Sequence, residues 1–183
     1  MRKRFVMATG LLILLIVSIT PAQQQQVEKL APFYPTPESV VKQMLELGEL
    51  KPGEWHYDLG SGDGRVVIMA AQKGAHSVGY EIDDELYKKS MARIKELGLD
   101  KLATIRKQDL MTADFGKPDL ITVYLLPSSN DKIQPMLEKT MKKGSRVVSH
   151  DFEFRGWKAD KVLEVEDHDD GDGRSHTLYL YRR

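Results

Sequence analysis

Three acidic residues, Asp58, Glu81 and Asp109, each stand at or near the carboxyl end of a short run that predicts a β-strand. In a parallel sheet these ends meet at one edge, and ligands bind in the crevice outside them. A carboxylate at the tip of the second strand can accept hydrogen bonds from both hydroxyls of a ribose. A carboxylate one strand further out can accept from an adenine amino group. The spacing therefore predicts a site for an adenosine-containing ligand.

A glycine-rich turn follows the first of these strands, with glycines at positions 60, 62 and 64. Glycines let the backbone approach a ligand closely and leave N–H groups available at a helix N-terminus. The spacing differs from the G-x-G-x-x-G pattern of dinucleotide sites, and Asp58 and Asp63 place negative charge where a pyrophosphate would lie. S-adenosylmethionine carries a sulfonium and an ammonium group but no phosphate. The charge pattern therefore favours S-adenosylmethionine over NAD.

Helical and extended patterns alternate along the chain between Thr36 and the C-terminus. Thr36 is the predicted N-cap of the first helix, with Pro37 at its first position, and further helices are predicted at about residues 65–73, 84–97 and 130–141. Strands are predicted at about residues 55–59, 77–81, 103–107, 120–125, 146–149, 161–166 and 177–181. This order predicts an α/β, Rossmann-like, seven-stranded, mainly parallel sheet with helices on both faces and a C-terminal antiparallel hairpin.

Composition limits the partners that the chain can have. Its 183 residues contain 27 basic and 27 acidic side chains, so there is no basic field of the kind that non-specific nucleic-acid binding requires. The absence of cysteine excludes disulfides, a thiolate nucleophile and a cysteine-ligated zinc site. The acidic run at residues 167–172 lacks the glycine and glutamate that an EF-hand loop needs, so a solvated hairpin is favoured. Neither nucleic acid nor a metal is predicted as a ligand.

The N-terminal segment, residues 1–22, differs from the rest of the chain. Three basic residues at positions 2–4 precede an uncharged run at residues 5–19, and Ala22 ends the segment before four glutamines. This pattern predicts either a signal peptide cleaved after Ala22 or an N-terminal membrane anchor, although about 15 residues are fewer than the roughly 20 that span a bilayer. We expect a membrane-anchored or exported protein, in which case it would be periplasmic or extracytoplasmic. Residues 23–32 would form a linker and residues 33–183 the domain.

From Tyr34 to Arg183 the chain resembles class I S-adenosylmethionine-dependent methyltransferases, because the glycine-rich turn and the two following acidic positions match that superfamily. It is most similar to the small lysine methyltransferases that modify the ATP synthase c subunit and the adenine nucleotide translocase. Four runs carry this closer likeness: Phe33 to Pro37, Asp58 to Arg65, Tyr124 to Pro127 and Ser145 to Ser149. Those enzymes also have an N-terminal hydrophobic segment. The likeness implies a protein substrate with a methylated lysine.

The resemblance also implies which residues hold the cofactor. The methionine part would lie against Asp58 and the glycine-rich turn, the ribose against Glu81, and adenine beside Asp109. The predicted cofactor-binding residues are Tyr34, Thr36, Asp58, Gly60, Ser61, Gly62, Asp63, Gly64, Glu81, Ile82, Asp109, Leu110 and Leu125.

Tyr124 and Pro127 are the predicted catalytic residues. Many amine methyltransferases have Asp or Asn, then Pro-Pro and an aromatic residue, after the fourth strand, whereas this chain has Tyr124-Leu-Leu-Pro-Ser-Ser-Asn130. The departure argues against methylators of adenine, glutamine and small amines, and it agrees with the lysine group. A lysine amine must arrive neutral although its reference pKa is about 10.4, and an apolar entrance favours the neutral form. We expect these residues to position the amine, without a dedicated general base.

Two other functions are compatible with the sequence. The chain could methylate a small molecule or lipid, although no insertion that would cover such a substrate is visible. It could also be a non-catalytic nucleotide-binding domain of the same fold, against which the intact acidic residues argue. His150 and Asp151, at the end of the fifth strand, could face the substrate, but a structural role for the histidine is favoured. A monomer is expected.

Overall fold

Seven strands form one sheet in the computed structural model, which describes residues 29–169 and 173–183. The strands are β1 (Trp55–Leu59), β2 (His76–Glu81), β3 (Ala103–Lys107), β4 (Leu120–Val123), β5 (Arg146–His150), β6 (Lys161–Glu166) and β7 (Ser175–Arg182). Their order in the sheet is β3-β2-β1-β4-β5-β7-β6, in which β1 to β5 are parallel and β7 runs antiparallel to both of its neighbours. The predicted Rossmann-like fold with its C-terminal antiparallel hairpin is confirmed.

Helices cover both faces of this sheet. They are α1 (Glu38–Leu47), α2 (Arg65–Gln72), α3 (Asp84–Glu96) and α4 (Pro127–Thr140), with a short 3₁₀ turn at Leu110–Thr112. Successive residues of a strand point to opposite faces, and β4 shows the division. Leu120 packs in the core that contains Met44 of α1, whereas Ile121 packs with Ile133 of α4. Each face of β4 therefore has its own apolar core.

The prediction that Thr36 caps the first helix is wrong. The helix begins at Glu38, and its cap residue Pro37 makes no side-chain hydrogen bond. A carboxylate from the acidic connection between β6 and β7 fills this role, because Asp169 accepts the Ser39 N–H at 3.0 Å. The Thr36 hydroxyl lies 3.2 Å from a ring nitrogen of His150 instead. A tertiary contact thus replaces the local cap that the sequence indicated.

The fourth strand ends earlier and the fourth helix begins earlier than predicted. Strand β4 stops at Val123, and α4 starts at Pro127 rather than at about residue 130. Proline suits the first turn of a helix because its backbone has no N–H to leave unpaired and its φ is already helical. Tyr124 and Leu125 consequently belong to the short connection between β4 and α4.

Residues 29–36, which we call the N-terminal strap, pack against the domain. Lys29 forms an ion pair with Asp83 at 2.8 Å, and the carbonyl of Leu30 accepts a hydrogen bond from the Ser129 hydroxyl. The strap includes residues 29–32, the described part of the predicted linker.

The predicted signal peptide or anchor, residues 1–22, lies outside the described residues. Within residues 29–169 and 173–183, no helix is long and apolar enough to cross a membrane.

Substitution of Gly79 in β2 by alanine is expected to destabilise the domain. A Cβ at this position would lie 2.5 Å from the Ser61 hydroxyl oxygen and 2.6 Å from Cδ1 of Ile105. Overpacking of this kind costs about 1–3 kcal/mol, which urea denaturation can measure as a loss in the free energy of unfolding. Thr104→Ala, on the adjacent strand β3, is the control and should lose less. An unchanged free energy for Gly79→Ala would contradict the packing described.

Candidate cofactor and active site

A cleft lies outside the carboxyl ends of β1, β2 and β4. Its walls are the turn between β1 and α2, the ends of β2 and β4, and the N-terminal strap. Thirteen of the fifteen predicted site residues line it: Tyr34, Thr36, Asp58, Gly60, Ser61, Gly62, Asp63, Glu81, Ile82, Asp109, Leu110, Tyr124 and Leu125. Residues that are far apart in the sequence therefore converge on one cleft.

The turn between β1 and α2 strongly favours glycine at its crowded positions. Gly60 and Gly62 have φ values of 81° and 54°, in the left-handed region that other residues rarely adopt. A Cβ on Gly60 would come within 2.9 Å of Leu125, and a Cβ on Gly62 within 2.7 Å of the Phe33 ring. Phe33 in the strap thus rests directly on the turn, which brings the backbone to the wall of the cleft.

A row of buried polar side chains lies beneath this turn and ends at Asp58. The Thr122 hydroxyl donates to the Asp58 carboxylate at 2.6 Å. His56 lies 2.9 Å from the Thr122 hydroxyl through Nε2 and 2.7 Å from the Ser77 hydroxyl through Nδ1. Because Thr122 donates its only proton to Asp58, His56 must donate from Nε2 and accept at Nδ1. Burial lowers the pKa of His56 to about 3, so the imidazole is neutral, as this arrangement requires.

The Asp58 carboxylate is buried, and no cationic side chain of the described residues pairs with it. Burial raises its pKa to about 7, although the hydrogen bond from Thr122 opposes the shift and the nearby Glu81 and Asp63 add to it. A ligand that brought a positive charge next to this carboxylate would stabilise the ionised form. Asp58 would therefore attract a cationic group of a ligand that enters the cleft.

Asp63 makes a different contribution from the one expected. We expected it to add negative charge toward the ligand, but its carboxylate pairs with the Arg65 guanidinium at 2.9 Å. Arg65 also donates to the Thr36 carbonyl at 2.9 Å. Asp63 and Arg65 thus tie the strap to the start of α2, and the Asp63 carboxylate is neutralised by Arg65 rather than left for the ligand.

Glu81 and Asp109 both lie at the cleft with part of their hydrogen-bonding capacity already used. Glu81 accepts backbone N–H groups from Gly62 at 2.7 Å and from Ile82 and Asp83 at 2.8 Å. A carboxylate has about four acceptor positions, so roughly one is left for a ribose hydroxyl unless the turn moves. Asp109 accepts the Met111 N–H at 2.8 Å and caps the 3₁₀ turn, which leaves its second oxygen for a ligand.

Two predicted site residues do not line the cleft. Gly64 has a φ of 80° and precedes α2, where a Cβ would lie 2.8 Å from Ser90 on the far side of the turn. Pro127 occupies the first turn of α4, so its role in the structure is to start that helix. Their predicted roles in binding and catalysis receive no support from their positions.

Sequence reasoning missed the polar row and most of the strap. The signal for the row was present, because His56, Ser77 and Thr122 are polar residues inside three predicted strands. Only the pairing register, which places His56 beside Ser77 and Asp58 beside Thr122, shows that they form one chain of hydrogen bonds. Phe33 stood in the sequence only as the first residue of a run shared with the lysine methyltransferases, and its position before the first helix indicated an exposed connection rather than a contact with the turn.

A family model described as the ANTKMT methyltransferase domain matches residues 58–161. The chain belongs to this methyltransferase family. It is 41% identical over 152 residues to a protein-lysine N-methyltransferase of Saccharolobus islandicus (strain REY15A), covering 82% of this chain and 92% of that protein. It is 29% identical over 155 residues to the lysine N-methyltransferase of the ATP synthase c subunit from Xenopus laevis, covering 84% of this chain and 68% of that protein.

A solved structure from Salinibacter ruber, described as an RNA methyltransferase in complex with S-adenosyl-L-homocysteine, has the same fold. It has a TM-score of 0.74 and 41% sequence identity, and the match covers 81% of this chain and 93% of that one. The chain is an S-adenosylmethionine-dependent methyltransferase.

The residues that line the cleft fit this cofactor, independently of the likeness to other methyltransferases. Ser61 lines the cleft, and its buried hydroxyl oxygen has no hydrogen-bond partner among the described residues. A nearby positive charge would stabilise the ionised form of the buried Asp58 carboxylate, and S-adenosylmethionine has an ammonium and a sulfonium group that can provide it. Glu81 and Asp109 each offer an acceptor at the ends of β2 and β3, where the ribose and adenine are expected.

The affinity of the protein for S-adenosyl-L-homocysteine, which keeps the ammonium group, is expected to fall as pH drops below about 7. Below that pH the Asp58 carboxyl group is protonated and neutral, and each further unit should weaken binding by up to about tenfold because one proton must leave. Calorimetric titration over a pH series that brackets this pKa measures the effect. An affinity that stays constant across the series would contradict the role of Asp58.

Two variants sharpen this test. Asp58→Asn should bind weakly at every pH and lose the pH dependence. Thr122→Val removes the hydrogen bond that favours the ionised carboxylate, so the pKa of Asp58 should rise and the midpoint of the pH series should move upward. Thr104→Val, on β3, is the matched control and should leave the midpoint in place.

Proposed function

We propose that this methyltransferase methylates the side-chain nitrogen of lysine in a protein substrate. The observation that carries the proposal is the 41% identity to a protein-lysine N-methyltransferase over 92% of that protein's length. More distant relatives agree on the acceptor, since they include lysine methyltransferases of the ATP synthase c subunit and of the adenine nucleotide translocase. The shared acceptor among these relatives supports an amine rather than an oxygen or a nucleobase.

The connection between β4 and α4 suits the entry of a lysine side chain. Tyr124 and Leu125 line the cleft, and Leu126 and Tyr34 lie at the surface with 40% and 56% of their areas exposed. Apolar surroundings lower the pKa of an amine because they penalise its charged form. Tyr124 and its neighbours would therefore favour loss of the ammonium proton to solvent and expose the nitrogen lone pair.

The reaction then needs alignment more than acid–base chemistry. S-adenosylmethionine, when bound, supplies a methyl group attached to a positively charged sulfur. The neutral lysine nitrogen forms the new bond to the methyl carbon while the sulfur–carbon bond breaks, and sulfur keeps that electron pair. Holding the nitrogen in line with the breaking bond can supply much of the rate enhancement. The protein's contribution is to place the amine and exclude water.

RNA is the second candidate acceptor, because the structure from Salinibacter ruber is described as an RNA methyltransferase. The equal numbers of acidic and basic residues argue against it, since RNA binding depends strongly on positive charge. The exposed aromatic and aliphatic side chains at the cleft entrance suit a protein surface better.

A labelling experiment decides between these acceptors. The purified chain is incubated with tritiated S-adenosylmethionine and either heat-treated total cell protein or total RNA, and the protein is then hydrolysed to amino acids. We expect the label in protein and its recovery as methyllysine. Asp58→Ala should abolish labelling, whereas Asp131→Asn, on the exposed side of α4, should not. Label confined to RNA, or to another amino acid, would overturn the proposal.

We also propose that residues 1–22 direct the protein to a membrane, either as an anchor or as an export signal. The proposal rests on the basic residues at positions 2–4 and the apolar run that follows them. Expression of the full chain, followed by cell fractionation and N-terminal sequencing, tests it. We expect either sedimentation with membranes or a mature N-terminus at Gln23. An uncleaved chain found only in the soluble cytosolic fraction would contradict it.

A further inference from the structure

Asp151 follows β5 in an unusual backbone conformation. Its φ is 57°, in the left-handed region that Asp and Asn tolerate better than other residues with a side chain. Two hydrogen bonds to Thr177 of β7 hold it there: the Asp151 N–H donates to the Thr177 carbonyl at 2.7 Å, and Asp151 Oδ1 accepts the Thr177 N–H at 3.0 Å. These contacts leave Oδ2 directed away from the backbone.

The second carboxylate oxygen of Asp151 accepts the hydroxyl proton of Tyr124 at 3.3 Å. Tyr124 lines the cleft, whereas Asp151 does not, so the phenol stands between the cleft and the carboxylate. The ring is held in place by His150, whose centroid lies 3.9 Å away, and by Phe152 at 6.3 Å. Both the ring and the hydroxyl of Tyr124 are therefore fixed by the end of β5 and the segment that follows it.

Two buried histidines complete the surroundings of Asp151. His176 Nδ1 lies 3.2 Å from Asp151 Oδ2 and 2.9 Å from His150 Nε2, and His150 Nδ1 lies 3.2 Å from the Thr36 hydroxyl. His176 Nε2 is buried without a partner among the described residues. A buried N–H without a partner is rarer than a buried acceptor without one, so the proton of His176 belongs on Nδ1, where Asp151 and His150 can accept it. Donors from two sides thus point toward the Asp151 carboxylate.

We propose that Asp151 is a positioning residue that fixes the Tyr124 hydroxyl as a hydrogen-bond acceptor for the substrate amine. A hydroxyl has one proton and two lone pairs. Because the Tyr124 hydroxyl donates its proton in the hydrogen bond to Asp151, the lone pairs of its oxygen face the cleft. There they can accept a hydrogen bond from an N–H of the neutral amine. That contact would turn the nitrogen lone pair toward the methyl group. The inference rests on the proposed amine acceptor and extends it to a residue outside the cleft.

The charges around Tyr124 keep the phenol in the form that this role needs. Burial, the charge of Asp151 and the hydrogen bond to it raise the pKa of Tyr124 to about 12; Tyr34 adds to this, while Arg174 opposes it. Burial lowers the pKa of His150 to about 4, so that ring is neutral. The hydroxyl therefore stays protonated toward Asp151 over the pH range in which the enzyme is expected to work.

A double-mutant cycle tests the proposal with the same heat-treated protein as methyl acceptor. Asp151→Asn and Tyr124→Phe should each lower the initial rate of methyllysine formation by about tenfold to a hundredfold, because each removes a hydrogen bond that involves a charged group. In the Tyr124→Phe background, Asp151→Asn should have little further effect, since Asp151 acts through Tyr124. Affinity for S-adenosyl-L-homocysteine should be unchanged in all variants, and Asp131→Asn should keep full activity.

A spectroscopic measurement tests the contact without turnover. NMR titration of protein labelled at the tyrosine hydroxyl carbon gives the pKa of Tyr124, with Tyr124→Phe to identify its resonance. Asp151→Asn should lower this pKa, because it removes the carboxylate that raises it. The titration separates this inference from the proposed function. If the unaltered enzyme forms no methyllysine, the proposed function fails. The titration still shows whether Asp151 raises the pKa of the Tyr124 hydroxyl.

Three results would overturn the inference. One is an equal loss of activity from Asp151→Asn with and without the Tyr124 hydroxyl. A second is an unchanged pKa of Tyr124 in Asp151→Asn. The third is an activity that is lost with EDTA and restored by zinc, because the ligand atoms of His150, Asp151 and His176 lie within 4.8 Å of one another and would then be metal ligands.

Discussion

The proposed cofactor half of the site depends on a buried carboxylate that no cationic side chain of the described residues neutralises. Asp58 lies at the end of a central strand, where burial makes its ionised form unfavourable in the absence of a positively charged ligand. The row of Ser77, His56 and Thr122 fixes its orientation, and each member of that row is itself buried and hydrogen-bonded. Such a row is stable only if every proton has an acceptor, and the neutral His56 makes this possible. The Asp58 carboxylate is thus already oriented to contact a cationic group before a ligand binds.

The N-terminal strap links the proposed cofactor side of the cleft to the proposed substrate side. Arg65 joins it to Asp63 beside the glycine-rich turn, while the Thr36 hydroxyl contacts His150 at the end of the last parallel strand. Phe33 lies on Gly62, next to these contacts. The strap therefore forms part of the wall of the cleft rather than a connection that leads to it.

The two halves of the site use their acidic residues differently. Near the cofactor, Asp58 presents an ionisable group directly to the cleft. On the proposed substrate side, a carboxylate in direct contact with a lysine ammonium would stabilise the charged form and oppose methyl transfer. Asp151 is kept behind Tyr124, so the amine would meet a neutral hydroxyl oxygen while the negative charge fixes its orientation. This separation is the physical reason that an acidic residue can assist a reaction that needs an uncharged amine.

Local patterns along the chain are sufficient to predict the fold and most of the residues that gather at the cleft. Apolar runs of strand length, glycines at positions 60, 62 and 64, and acidic residues at the strand ends are local signals, and parallel strands necessarily bring their ends to one edge. Predictions from local patterns were wrong where a residue distant in the sequence capped a helix or where a nearby cation neutralised a carboxylate. Thr36 does not cap α1, because Asp169 reaches its N-terminus, and Asp63 does not face the ligand freely, because Arg65 neutralises it.

Long-range packing then determines which residues act together. His56, Ser77 and Thr122 are ordinary polar residues in the sequence, and the register of three strands makes them one hydrogen-bonded row. Asp151 and Tyr124 meet because β4 and β5 are neighbours and because β7 holds Asp151 in a left-handed turn. Pairing register and side-chain direction arise from the packed sheet as a whole, so no local pattern could specify these contacts.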